Sequence, residues 1–159
     1  MIESIRDIID DVLTRLEDIG ITKTEESFNM VFETGMAESG YRHLEQIGGG
    51  PGVGFFQCEI GTICDIWENF IIYRPKYIEA MYKLGLVEDD LTFCLLTNIA
   101  LQVAFCRIYY RRKPGAIPGT IPKRAAYWLK HYNTGGPHGR GKGSVDHYVA
   151  ANLKYLDSK

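Results

Sequence analysis

The sequence predicts a mostly α-helical chain with at most a small β-hairpin near residues 52–61. Three observations carry this. Apolar residues recur at three- and four-residue steps through most of the chain. Strand signals are weak everywhere, and only "GFFQCEIG" has a pattern that can pair. The 159 residues suit a single domain that buries a core without staples.

The elements follow in order. Ile2, Ile5, Ile8, Ile9, Val12, Leu13, Leu16 and Ile19 line one face of an amphipathic helix that Gly20 ends. Thr24, followed by Glu25 and Glu26, marks a second helix start, with Phe28, Val31, Phe32 and Met36 as its apolar face. Glu38 and Ser39 fall at its C-terminal end. A glycine loop follows, then a short helix opened by Thr62 or Asp65. Pro75 sits at the permitted first turn of "PKYIEAMYKLG", which Gly85 stops. Asp89 or Asp90 caps one long apolar helix reaching Tyr110. "RRKPGAIPGTIP" is a loop, and residues 123–131 form a short helix. After a second glycine-rich loop, Ser144 caps the closing helix. Residues 1–20 are thus a helix that is also a candidate docking element, and residues 24–159 form the rest of the domain.

Composition excludes several classes. With 45% hydrophobic and 24% charged residues the chain is that of an ordinary globular protein, not a disordered one. The run from Leu91 to Cys106 is too short to span a bilayer and ends at Arg107, so no membrane insertion is expected. The N-terminus lacks the features of a secretory signal. Cys58, Cys64, Cys94 and Cys106 have neither CxxC spacing nor a histidine cluster, so free thiols are expected, with no metal and no cofactor. Charge is uneven: residues 91–145 hold nine bases and no acid, leaving −11 on the remainder of a chain with net charge −2. Such a segment either meets an anionic polymer or is neutralised by the acidic half.

The chemistry turns on "AESGYRHLEQIGGGPGVGFFQCE", Ala37 to Glu59. Its glycines do not hold phosphate. No register of Gly48, Gly49, Gly50, Gly52 and Gly54 satisfies GxGxxG, and Phe55-Phe56 stand where a P-loop needs Lys-Ser/Thr. A glycosidase site fits better. Breaking a glycosidic bond needs a carboxyl that is still protonated at working pH, and apolar neighbours produce one. Glu38 follows an apolar helix face, and the loop bearing Phe55 and Phe56 can fold over it.

Four segments together resemble the soluble lytic transglycosylases and goose-type lysozymes. Glu38-Ser39 is similar to their catalytic Glu-Ser step. "GVGFFQ", Gly52 to Gln57, is similar to their Gly-Leu-Met-Gln segment, and "HYNTG", His131 to Gly135, to their Ala-Tyr-Asn-Ala-Gly motif. "DHYVAANLKYL" resembles their closing helix. The resemblance covers about residues 28 to 156. It implies a lysozyme-like helical fold and cleavage of the β-1,4 bond between N-acetylmuramic acid and N-acetylglucosamine in peptidoglycan glycan strands. Glu38 would be the general acid, and Ser39 would orient substrate. Phe56 and Gln57 would line the cleft. Tyr132 would approach and tune Glu38, and Asn133 would hold the loop or the sugar.

Departures from the family pattern include Phe55-Phe56 for Leu-Met and a third motif extended by His138, Arg140 and Lys142, which makes His138 a further candidate in the cleft. Glu59 lies two residues after Gln57, where goose-type lysozymes carry an acid, so the resemblance implies Glu59 as a second catalytic carboxylate that positions water in a hydrolase, with a one-carboxyl lytic transglycosylase as the alternative. Asp65 is a weaker second carboxylate, or a helix cap. Trp67, Trp128, Tyr109, Tyr110 and Tyr127 stack on sugars or fill the core. The compact chain suggests a phage product: an endolysin acting from the host cytoplasm on the wall, or a virion-carried lysozyme whose N-terminal helix docks on other virion proteins. A silent phage structural protein with the same fold is the alternative of another class. Nucleic-acid binding through the basic segment is a lesser one.

Overall fold

A computed structural model describes residues 2–134 and 143–157. The described residues form eight α-helices, two short 3-10 helices (Ile71–Tyr73 and Glu88–Asp90) and one two-stranded antiparallel hairpin. The helices are α1 (Ile2–Glu17), α2 (Glu25–Glu38), α3 (Ile60–Asn69), α4 (Pro75–Lys83), α5 (Leu91–Thr97), α6 (Ile99–Arg111), α7 (Ile121–His131) and α8 (Val145–Leu156). Strands β1 (Gly52–Val53) and β2 (Cys58–Glu59) pair Gly52 with Glu59 and Val53 with Cys58, inside the segment expected to form a hairpin.

The central element is α2. Thr24 Oγ1 accepts from Ser27 N and Ser27 Oγ accepts from Thr24 N, a reciprocal cap that fixes where the helix begins. Its buried residues run almost all the way round: Ser27, Met30 through Gly35, and Ala37. Helices α1, α6 and α8 pack around it. The stripe Ile5, Ile9, Val12, Leu13 and Leu16 on α1 is wholly buried, so α1 is a core helix. Its apolar face is therefore unavailable for docking, because α6 and α2 already cover it.

Two expectations about elements are corrected. The apolar stretch after Asp90 is not one helix: α5 and α6 meet at a bend of 104°. Asn98 makes the break. Its Oδ1 accepts from Leu101 N at 3.1 Å as the N-cap of α6, and its Nδ2 donates to Leu84 O at 2.7 Å. Among the described residues no single helix is long and apolar enough to cross a membrane. Asp65 caps nothing. Helix α3 begins at Ile60, directly after β2, which leaves Asp65 in mid-helix, where it accepts from Arg112 at 2.7 Å and from Asn69 at 2.9 Å.

Candidate active site

The end of α2 is shaped by its own sequence. After Glu38 and Ser39, Gly40 (φ 59°) and Tyr41 (φ 55°) are both left-handed and turn the chain back. That backbone disfavours a bulky residue at Tyr41. The ring is nevertheless buried, stacks on Phe32 with centroids 5.6 Å apart, and donates its hydroxyl to Phe32 O at 2.9 Å. Room for it exists because residue 35 is glycine: a Cβ there would overlap the Tyr41 ring and hydroxyl.

Ser39 then ties the acid-bearing helix end to the hairpin. Its Oγ donates to Phe55 O at 2.7 Å and accepts from Tyr41 N at 3.1 Å. From the opposite side Gln102 on α6 clamps the same loop. Its Oε1 accepts from Phe55 N at 2.7 Å and its Nε2 donates to Leu95 O at 2.5 Å.

Glu38 is half-buried. Trp128 Nε1 donates to its Oε1 at 2.9 Å, and Asn133 Nδ2 donates to the same oxygen at 3.4 Å. Burial pushes the carboxyl from 4.5 up to about 7, although the Trp128 and Asn133 hydrogen bonds and the charge of His147 each pull it down. Among the described residues both donors are on Oε1, which leaves Oε2 to carry the proton of a protonated Glu38. A carboxylic acid held near neutrality in this way has the equipment of a general acid.

Second partners position this group. His147 on α8 bonds through Nε2 to Ala37 O at 2.7 Å, one residue before the acid. Asn133 Oδ1 accepts from Gly143 N at 3.2 Å, so one amide side chain touches both the acid and the far end of the second glycine loop. Five residues before Glu38, Glu33 forms a bidentate pair with Arg124. The bonds are 2.8 and 2.5 Å, with side chains only 7% and 5% exposed. Tyr148 donates to Glu33 at 3.0 Å. This buried network joins α2, α7 and α8, the helices that carry Glu38, Trp128 and His147.

The structure brings Glu38, Ser39, Asn133 and Tyr132 together but changes several roles. Phe56 does not line a cleft. Its ring is 1% exposed and packs edge-on against Tyr41 at 6.1 Å, and only its carbonyl faces the site. Phe55 is the half-buried ring of the pair. Gln57 is left-handed (φ 48°), and its Nε2 closes the hairpin turn on Gly54 O at 2.7 Å. Tyr132 spends its hydroxyl on Phe56 O at 2.8 Å, not on Glu38. Trp128 is 1% exposed, so it offers no face to a sugar and contributes its N–H instead. Glu59 is exposed at the start of α3 and makes no capping bond. His138 lies outside the described residues.

Cys58 lies between the two carboxylates electrostatically. Burial pushes its thiol up to about 12, and Glu38 and Glu59 add to the rise. It stays a protonated thiol and offers no nucleophile. Among the described residues no group of three His, Cys, Asp or Glu side chains can hold a metal ion.

Sequence reasoning missed Glu33, Arg124, Gln102 and the helix-end role of His147. One signal was present: Arg124 shares a helical face with Ala125 and Trp128, and a charge on an apolar face needs a buried partner.

No family model, curated protein or solved structure matches the chain.

Proposed function

We propose that the chain is a peptidoglycan-cleaving muramidase with Glu38 as its general acid. The carrying observation is the Glu38 carboxyl itself: half-buried, raised to about 7, and with both of its donors among the described residues on Oε1. The acid–serine, glycine–aromatic–glutamine and tyrosine–asparagine segments that resemble goose-type lysozymes and lytic transglycosylases supply the substrate class.

In this reading Oε2 of Glu38 donates its proton to the glycosidic oxygen as the bond to the sugar C1 breaks. The ring passes through an oxocarbenium-like transition state. In a hydrolase Glu59 then activates the attacking water from the open side. In a transglycosylase the muramic acid 6-hydroxyl attacks C1, gives its proton back to the ionised Glu38 and leaves a 1,6-anhydro end. The second route is favoured by one feature, the exposed and unanchored placement of Glu59.

The test is clearing of purified sacculi by the wild type and by Glu38→Gln. Removal of the acid should lower the rate by about 10²–10⁴-fold. Equal clearing by both proteins would sink the assignment. Product masses separate the two routes, because anhydro-muramyl ends lack one water.

A further inference from the structure

Both groups that donate to Oε1 of Glu38, the Trp128 indole and the Asn133 amide, lie against one glycine. Gly143 N donates to Asn133 Oδ1 at 3.2 Å. A Cβ built on Gly143 would lie 2.1 Å from Trp128 Cη2, 3.0 Å from its Cζ3 and 3.1 Å from Asn133 Cγ. The first distance is far inside the carbon–carbon optimum of about 3.5–4.0 Å. Gly143 therefore rests on the outer edge of the indole and holds the asparagine with its amide.

The backbone does not require glycine here. Gly143 lies outside the left-handed region, unlike Gly40 or Gly54. Space alone excludes a side chain.

Neither neighbour yields freely. Trp128 is almost fully buried, and its ring packs against Tyr148 with centroids 5.2 Å apart. Gly143 leads straight into α8. Ser144 caps that helix by accepting from His147 N at 3.1 Å, and His147 Nε2 bonds Ala37 O at 2.7 Å. Within residues 143–147 the chain reaches Asn133, Trp128 and the helix end that carries Glu38. A methyl group on residue 143 must displace the indole or lift this segment. Displacing the indole pulls Nε1 off Oε1. Lifting the segment breaks the bond to Asn133 Oδ1 and frees the amide.

Resting on the general-acid reading of Glu38, we propose that Gly143 is a positioning residue for that acid: its bare Cα lets the chain before α8 close on Trp128 and Asn133, which holds both donors on Oε1.

Among the described residues, the other titratable groups that face Glu38 are His147 on α8, Cys58 on β2, Cys106 and Tyr110 on α6, and Tyr132 after α7. Burial keeps the two thiols and two phenols protonated at neutral pH. None of the five is altered in the test.

The test follows the Glu38 carboxyl carbon by NMR against pH, which needs no catalysis. Its signal is the one missing from Glu38→Gln. The wild type is compared with Gly143→Ala, Trp128→Phe and the double variant. Gly143→Ala should raise the midpoint by about one pH unit, the scale of one hydrogen bond to a charged group. The Trp128 indole N–H, identified by its absence in Trp128→Phe, should exchange faster or change shift. Phenylalanine lacks the ring edge that the methyl meets, so Gly143→Ala should add little to the midpoint of Trp128→Phe. Folding lost in Gly143→Ala and regained in the double variant also places the overlap at the indole and supports the proposal. A midpoint unchanged by Gly143→Ala, an equal shift in both backgrounds, or folding lost in both backgrounds overturns it. Failure of the wild type to clear sacculi while the coupled shift holds overturns the muramidase reading alone.

Discussion

The indole N–H of Trp128 donates to Oε1 of Glu38 at 2.9 Å, joining residues 90 positions apart in sequence. The bond opposes burial: it pulls the carboxyl pKa down while the surroundings push it up to about 7. The acid is therefore poised by effects of opposite sign, of which burial is the larger.

Activity should follow this balance. A general acid works protonated, so the rate on sacculi should fall as pH rises through about 7. Trp128→Phe removes a bond that lowers the pKa, so the alkaline limb should move upward. A limb unchanged in this variant would show that the indole does not tune the acid. The measurement is a pH–rate profile of both proteins.

Stability should carry the same signature. The folded pKa of Glu38 lies above its unfolded value of 4.5, so the native state holds the extra proton between 4.5 and about 7. Stability is lost as pH rises through that window. Glu38→Gln escapes the loss and should gain on the wild type by up to about 3 kcal/mol at pH 8, with little difference at pH 4. Urea unfolding at the two pH values reads this directly.

The Glu33–Arg124 pair should respond to how it is broken. Arg124→Met leaves a buried carboxylate without its guanidinium and should cost about 3–5 kcal/mol. Replacing Glu33 by Leu in the same protein removes the stranded charge and should restore most of the loss. Equal destabilisation of the single and double variants in denaturant titrations would contradict this.

Gly35→Ala places a methyl group against the ring of Tyr41 and should cost about 1–3 kcal/mol through overpacking. Tyr41→Phe should recover only part of it, because Cζ would still overlap the new methyl. Thermal unfolding of the three proteins compares them.

Gln102→Leu should loosen the hairpin loop. It strands Phe55 N and Leu95 O, each bonded to Gln102 in the native protein, at about 1–3 kcal/mol per buried group. Faster hydrogen exchange at the Phe55 amide is the expected readout.

Local sequence was enough for much of the fold. Thr24, Ser144 and Pro75 begin helices where their chemistry allows one to begin, and the three- and four-residue apolar steps of α1 became its buried face. The hairpin fell within residues 52–61 because little else in the chain alternates as a strand does. Asn98 was the exception. Its cap was written in the sequence, but an unbroken apolar run concealed it, and a single Asn decides a bend only when its amide finds a partner such as Leu84 O.

The sequence by itself determined where most of the helices lie, that a small hairpin follows the acid-bearing helix, and that Glu38 ends that helix. Tertiary structure alone decided what Glu38 is. Its pKa comes from burial and from Trp128, Asn133 and His147, and none of these is a sequence neighbour. Tertiary packing likewise buried Phe56, turned Tyr132 to a backbone carbonyl and left Glu59 exposed. The physical reason is one of range: periodicity and caps are set within a few residues, whereas desolvation of a carboxyl depends on every element packed around it.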